Sequence, residues 1–266
     1  MPVPDTANAD GTLDLALITD AAQQAGEIAL RYFRKDPEVW MKGGTSPVSE
    51  ADFAVDAFLR ETLLAARPDY GWLSEETADT TARLSARRTF VVDPIDGTRA
   101  FVDGRDVWCI SIAVVEDGRP LSGVLDCPAR GQVYAASYGA GATLNGRPIK
   151  MRETPGRPVV AGPKPMLDAL ETASRPLERH PYVPSLAYRV AMLAEGRIDA
   201  TFMKPNSHDW DLAAADLILL EAGGRVLDPQ GRPLHYASAD PRHGALAAGN
   251  GDLLSSMVAI IASWPD

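Results

Sequence analysis

The segment 91–98 reads Val-Val-Asp-Pro-Ile-Asp-Gly-Thr, and its pattern determines how the rest of the chain is interpreted. The apolar residues before Asp93 predict the end of a buried strand, and the proline after it predicts a turn. Two carboxylates on such a turn, Asp93 and Asp96, can face one point and share hard cations through oxygen ligands. Gly97 lets the backbone approach closely, and Thr98 adds a hydroxyl. The segment therefore predicts a metal site at the end of a central strand.

Three other interpretations of this segment fit less well. A turn of Pro, Asp and Gly that only reverses the chain would use the commonest turn residues. The nucleophile loop of haloacid-dehalogenase phosphatases has aspartates two residues apart after the first strand of the domain. Here they are three apart and follow about 90 residues of chain. An EF-hand loop requires a glutamate at its twelfth position, which counted from Asp93 is Gly104.

Two helices are predicted before this segment. Apolar residues recur at intervals of three and four from about Leu13 to Arg34, which indicates one face of a helix after a frayed tail at residues 1–11. Ser49 with an aspartate three residues later has the pattern of a capping box, so a second helix is expected from about Glu50 to Ala66. The residues 42–47 between these helices are predicted to form a loop.

Strand patterns dominate the middle of the chain. Five apolar runs predict strands there: Tyr70–Leu73, Thr89–Asp93, Val107–Glu116, Pro120–Cys127 and Gln132–Ser137. Asp117-Gly118 is typical of a hairpin turn. After about residue 150 the predicted strands and helices alternate. This change predicts an N-terminal α+β lobe at residues 1–150, with most of the metal ligands, and a C-terminal α/β lobe at residues 151–266.

Composition and charge exclude several classes of partner. The chain has 266 residues with 36 Asp and Glu against 26 Lys and Arg, a formal net charge of -10. Such a surface repels nucleic acid and anionic membranes, whereas a small anionic substrate can bind if cations reverse the local field. Only two cysteines occur, Cys109 and Cys127, and the N-terminus lacks the pattern of a signal peptide. A cytoplasmic protein is expected.

With these motifs the chain resembles the inositol monophosphatase family of magnesium-dependent, lithium-sensitive phosphatases. Residues 93–101 match the first family signature, and Trp210-Asp211-Leu-Ala-Ala-Ala-Asp216 with Glu221-Ala-Gly-Gly224 matches the second. Lys42 with residues 46–52, and Ser74-Glu-Glu76, match two further segments in the family's order. Four motifs in order are far more specific than one. The resemblance covers about residues 13–262 and implies a layered α/β/α/β/α sandwich.

The resemblance also implies a role for each matching residue. Five positions match metal ligands: Glu75, Asp93, the carbonyl of Ile95, Asp96 and Asp211. Asp52 matches a residue that helps to hold a third, weaker magnesium through water. Thr98, supported by Asp52, matches the hydroxyl that orients the attacking water near Glu75. Two to three Mg²⁺, with Mn²⁺ as a substitute, and direct attack by water without a phosphoenzyme are therefore expected. A homodimer is expected from the resemblance alone.

The substrate is predicted from fewer residues. The expected contacts are Gly97, Thr98, Ser185, Arg189 and Lys204. In the inositol enzymes a polyol-binding Glu stands seven residues before the aspartate of the second signature, where this chain has Lys204. A cation there favours a second negative charge on the substrate. Arg189 lies where the family's bisphosphate nucleotidases often carry a Lys, and Ser46-Pro47-Val48 resembles those enzymes too.

A 3'(2'),5'-bisphosphate nucleotidase that converts adenosine 3',5'-bisphosphate to AMP is therefore the first prediction. Inositol monophosphate or another sugar phosphate is the alternative, histidinol phosphate is a further candidate, and fructose 1,6-bisphosphate is less favoured. Lys204 and Arg189 could equally be ordinary surface charges. A non-catalytic protein that senses an anionic metabolite is the alternative from a different class, and the complete set of carboxylates argues against it.

Overall fold

The structure is a computed structural model in which residues 6–42 and 46–264 are described. These residues form seven α-helices: α1 (Thr6–Tyr32), α2 (Glu50–Ala66), α3 (Thr98–Val102), α4 (Lys164–Ala173), α5 (Leu186–Ala194), α6 (Asp209–Glu221) and α7 (Gly251–Ala262). Two short 3₁₀ helices lie at Thr81–Ser85 and Pro128–Arg130. Two small two-stranded sheets and two large sheets complete the described fold.

The first large sheet has seven strands in the order of the chain. They are β3 (Gly71–Ser74), β4 (Arg88–Asp96), β5 (Cys109–Glu116), β6 (Arg119–Cys127), β7 (Gln132–Ser137), β8 (Gly141–Leu144) and β9 (Arg147–Ile149). β3 and β4 are parallel and the other neighbours are antiparallel. Asp117 and Gly118 join β5 and β6 with φ of 49° and 75°, as expected for a tight hairpin turn.

The second large sheet has five strands in the order β11-β10-β12-β16-β14. They are β10 (Val159–Ala161), β11 (Glu178–Arg179), β12 (Ala200–Met203), β14 (Arg225–Leu227) and β16 (Leu246–Gly249). The small sheets pair β1 (Val39–Lys42) with β2 (Ser46–Ser49), and β13 (Ser207–His208) with β15 (Arg242–His243).

Alternation of side chains along the strands builds five layers. In β4, Phe90 and Val92 pack toward α1 and α2, whereas Val91 packs toward α5 and α6. In β12, Met203 joins the same core as α5 and α6, whereas Phe202 packs toward α4 and α7. Because successive strand residues face opposite sides, each sheet separates two helical layers. The predicted α/β/α/β/α sandwich is confirmed.

Three local expectations differ from the structure. Of the frayed tail expected at residues 1–11, residues 6–11 belong to α1 and residues 1–5 lie outside the described residues. The carbonyl of Gly11 accepts hydrogen bonds from Ser122 Oγ (2.7 Å) and Ser137 Oγ (3.3 Å). The predicted loop at 42–47 contributes Lys42 to β1 and residues 46–47 to β2, while 43–45 lie outside the described residues. The β8–β9 hairpin was not predicted. The division into lobes near residue 150 stays a prediction, although no described sheet crosses it.

Candidate active site

Three carboxylates from two elements converge on one point. Asp93 and Asp96 stand at the end of β4, and Asp211 lies in the first turn of α6. One oxygen of each lies within 4.8 Å of the others. Burial raises the pKa of all three carboxyls, and their mutual repulsion raises it further for Asp93 and Asp211. Buried like charges at this separation are costly unless cations neutralise them.

A β-bulge places the first two carboxylates on the same face of the sheet. Asp93 pairs with Ser111 and Asp96 pairs with Cys109, so two residues of β4 oppose one residue of β5 between these pairs. In a regular strand, residues three apart would face opposite sides. The extra residue turns Asp96 toward the layer of α5 and α6, the side that Asp93 also faces. The backbone N–H of Ile95 donates to Asp93 Oδ1 at 3.0 Å and holds the turn.

A shared hydroxyl connects the turn to the start of α2. Thr98 Oγ1 lies 3.2 Å from Asp52 Oδ1 and 3.1 Å from the carbonyl oxygen of Ile95. Asp52 Oδ2 accepts from Ser49 N at 2.8 Å and from Ser49 Oγ at 2.6 Å, which is the predicted capping box. Asp52 therefore caps α2 with one oxygen and supports Thr98 with the other.

Glu75 lies on the wall of the same cleft, directly after β3. Burial raises its pKa to about 7, Lys42 opposes that shift, and the charges of Glu76 and Asp52 add to it. Lys42 Nζ lies 3.7 Å from Glu75 Oε1 and forms an ion pair with Glu76 Oε2. The ammonium group of Lys42 therefore offsets part of the negative charge of Glu75 and Glu76.

The donor set fits a hard divalent cation. Its side-chain donors are carboxylate oxygens, and Ile95 lines the same cavity, while no His or Cys joins the group among the described residues. Mg²⁺, Mn²⁺ and Ca²⁺ prefer such oxygen donors, whereas Zn²⁺ and Cu²⁺ favour imidazole and thiolate.

Two cavities meet at this centre. The smaller, about 330 Å³, is lined by Glu75, Asp93, Ile95, Asp96, Gly97, Thr98 and Asp211 among others. The larger, about 500 Å³, is lined by residues that include Lys164, Arg189, Lys204 and Ser207. Both are bordered by Tyr182, Pro184 and Asp211, so they form a continuous cleft with an acidic end and a basic end.

Arg189 and Lys204, the predicted substrate contacts, both line the larger cavity. Arg189 is half-buried, and its Nε has no hydrogen-bond partner among the described residues. Burial lowers its pKa, while Asp96 and Tyr182 oppose that shift. Lys204 is exposed after β12. Ser185 differs from the prediction: it is fully buried, lines neither cavity, and donates its hydroxyl hydrogen bond to Asp96.

The sequence reasoning missed two residues of the cleft. Tyr182 is 72% exposed at the border of both cavities, and its position in a loop between prolines gave no signal. Ser207 has a buried Oγ without a partner among the described residues. Its place four residues before Asp211, next to the second signature, was the available signal.

Comparison with known proteins places these features in a family. The model of the inositol monophosphatase family matches residues 14–262. The chain belongs to the inositol monophosphatase family. It is therefore a phosphoric monoester hydrolase, as the sequence predicted.

Relatives within the inositol monophosphatase family carry different substrate names. A histidinol-phosphatase of Chlorobaculum parvum is 34% identical over 83% of this chain and 88% of its own length. A 3'(2'),5'-bisphosphate nucleotidase CysQ of Aggregatibacter actinomycetemcomitans is 30% identical over 82% and 86%. The solved inositol monophosphatase of Zymomonas mobilis superposes with a TM-score of 0.77 at 28% identity, covering 94% of this chain and 97% of that one. Family membership alone leaves the substrate open.

No helix in the described parts of the chain combines the length and apolar character needed to cross a bilayer.

Proposed function

We propose that the chain hydrolyses a small phosphate monoester with the help of two to three Mg²⁺, for which Mn²⁺ can substitute. The observation that carries this proposal is the group of three carboxylates within 4.8 Å, of which two are buried and that of Asp211 is half-buried. The proposed ligands are Glu75, Asp93, the carbonyl of Ile95, Asp96 and Asp211. When bound, such ions polarise phosphoryl oxygens and lower the pKa of water.

The residues around the carboxylates then position the reactants. Thr98 is held by Asp52 and by the carbonyl of Ile95, which fixes its hydroxyl at the edge of the smaller cavity. We expect this hydroxyl to orient the attacking water next to Glu75. Because the proposal assigns the carboxylates of the smaller cavity to the cations and Thr98 to positioning, direct attack by water without a phosphoenzyme is favoured.

The proposed substrate is a nucleoside 3'(2'),5'-bisphosphate such as adenosine 3',5'-bisphosphate, with AMP as the product. Support comes from Arg189 and Lys204, two cations that share the larger cavity next to Asp211. In this proposal one phosphate lies at the carboxylate centre and the second lies in the larger cavity, which Asp211 also lines. Inositol monophosphate, another sugar phosphate or histidinol phosphate is the alternative, and the names of the relatives do not favour one of them.

A phosphate-release panel tests the proposal. Adenosine 3',5'-bisphosphate, inositol 1-phosphate, histidinol phosphate and fructose 1,6-bisphosphate are compared in Mg²⁺, in Mn²⁺ and in chelator, with Li⁺ as an inhibitor. We expect turnover that requires the cation and is highest for the bisphosphate nucleotide. Turnover unchanged by chelator would refute the metal centre. Preference for inositol or histidinol phosphate would refute the nucleotide while leaving the metal centre in place.

Two further proposals concern the whole protein. We propose a homodimer, on family membership alone, which light scattering coupled to size exclusion tests. We also propose a cytoplasmic location, supported by Cys109 and Cys127, both of which are buried and not bridged. A monomer in solution, or export of the protein in cell fractionation, would contradict them.

A further inference from the structure

Ser185 stands at the N-cap of α5 and is completely buried. Its Oγ accepts a hydrogen bond from the backbone N–H of Tyr188 at 3.0 Å and donates one to Asp96 Oδ2. The hydroxyl oxygen thus accepts a hydrogen bond from the backbone of α5, and the hydroxyl proton is donated to the carboxylate of Asp96. Ser185 Oγ also lies 3.7 Å from Cys109 Sγ, and because the side chain is completely buried it does not face the cleft.

The first turn of α5 surrounds the carboxylate of Asp96. Leu186 N donates to Asp96 Oδ1 at 3.2 Å, and Ala187 N donates to Asp96 Oδ2 at 2.7 Å. The first backbone N–H groups of a helix lack partners within the helix. Asp96 therefore caps α5 from a different element, and the positive end of the helix faces the carboxylate. Cys109 Sγ adds a weaker contact to Asp96 Oδ2 at 3.9 Å.

Close packing fixes the distance between α5 and the turn that carries Asp96. Gly97 has a φ of 98°, and a Cβ at this position would lie 3.1 Å from Ser185 Cβ and 3.0 Å from the carbonyl oxygen of Val107. A side chain cannot be accommodated there without movement of these neighbours. The backbone of the turn and the N-cap of α5 therefore touch directly.

We infer that Ser185 is a positioning residue for Asp96, which it orients for a divalent cation, and that it does not contact the substrate. The inference rests on the proposed function, because it takes Asp96 as a metal ligand. Groups that hydrogen-bond to a metal ligand commonly change metal affinity about 10- to 100-fold when they are removed. Loss of the hydroxyl should therefore weaken cation binding and leave substrate affinity at saturating cation unchanged.

The test separates cation binding from substrate binding. Ser185→Ala removes the hydroxyl. Ser185→Gly removes it with little cost to the helix start, since Gly is tolerated at an N-cap, and it serves if the Ala variant does not fold. Lys204→Ala is the comparison variant, because Lys204 is exposed in the larger cavity. The first readout is the Mg²⁺ or Ca²⁺ concentration that gives half of the maximal rise in Tm, measured without substrate. The second readout is KM at saturating Mg²⁺.

We expect the half-effect concentration to rise about 10- to 100-fold in the Ser185 variants, with KM as in the wild type. Lys204→Ala should show the opposite pattern, a raised KM with an unchanged half-effect concentration. A raised KM in the Ser185 variants with normal cation binding would overturn the inference and assign Ser185 to the substrate. If the wild type shows no rise in Tm with either cation, the proposed metal centre fails, and the inference fails with it.

Discussion

Replacing Glu75 by glutamine is expected to stabilise the cation-free protein at neutral and alkaline pH. Burial raises the pKa of this carboxyl from its ordinary value of 4.5 to about 7, against the opposing charge of Lys42. The native state therefore holds the proton more tightly than the unfolded chain does. The associated stability is fully present below about pH 4.5 and is lost as the pH rises through about 7.

The size of this effect follows from the two pKa values. Their difference corresponds to about 3 kcal/mol of folding free energy at pH 8, lost by the wild type and retained by a neutral side chain of the same shape. For a protein of this size, 1 kcal/mol changes Tm by about 2 °C. The Glu75→Gln variant should therefore melt about 6 °C above the wild type at pH 8 and close to it at pH 5.

Thermal unfolding in chelator at pH 5, 6, 7 and 8 provides the measurement. Glu61→Gln is the matched control, because Glu61 is exposed on α2 and the same charge is removed. The control should follow the wild type at every pH. With saturating Mg²⁺ the order should reverse, since the wild type keeps a ligand that the variant lacks. A constant difference in Tm from pH 5 to pH 8 would refute the reasoning.

Three other substitutions have distinct expected results. Asp93→Asn should reduce phosphate release by orders of magnitude and abolish the Mg²⁺-induced rise in Tm. Its Tm in chelator should not fall, because one repelling charge is removed. A lower Tm in chelator would reveal a structural role. Lys204→Glu should reduce kcat/KM about 10- to 100-fold for adenosine 3',5'-bisphosphate and much less for inositol monophosphate. Equal losses would leave Lys204 as surface charge. Gly97→Ala should lower the free energy of unfolding in urea by about 1–3 kcal/mol, because of its positive φ and the contact with Ser185; unchanged stability would contradict the close packing.

The elements with strong local signals were predictable from the sequence. The capping box at Ser49 and the Asp117-Gly118 turn depend on residues a few positions apart, and both occur in the structure. The β8–β9 hairpin was missed although Asn145-Gly146 forms its turn, because its strands are only four and three residues long and lack an apolar alternation. The strand at residues 46–49 was missed because it pairs only with β1.

The candidate site also combines features that the sequence predicted with features that it did not. The signatures predicted that Asp93, Asp96 and Asp211 would meet, and the structure brings them together, although their role as metal ligands stays a prediction. The partner of Ser185 was not predictable, because Asp96 lies 89 residues away along the chain. The border of the cleft at Tyr182 depends on similarly distant contacts. Local spacing predicts which residues carry chemistry, whereas tertiary packing decides what each of them touches.

The bulge in β4 means that the length of the chain is constrained, as well as its residue types. Deleting Pro94 or Ile95 would restore regular pairing with β5 and would keep every carboxylate in the sequence. Asp93 and Asp96 would then stand two residues apart and would still face the same side of the sheet, but the turn in which Ile95 N–H donates to Asp93 Oδ1 would be lost. The aspartates alone therefore do not define the site, because the carbonyl of Ile95, which lies 3.1 Å from Thr98 Oγ1, belongs to the same turn. Insertions and deletions between Asp93 and Asp96 are therefore expected to be lost during evolution even though they would leave both aspartates in the chain.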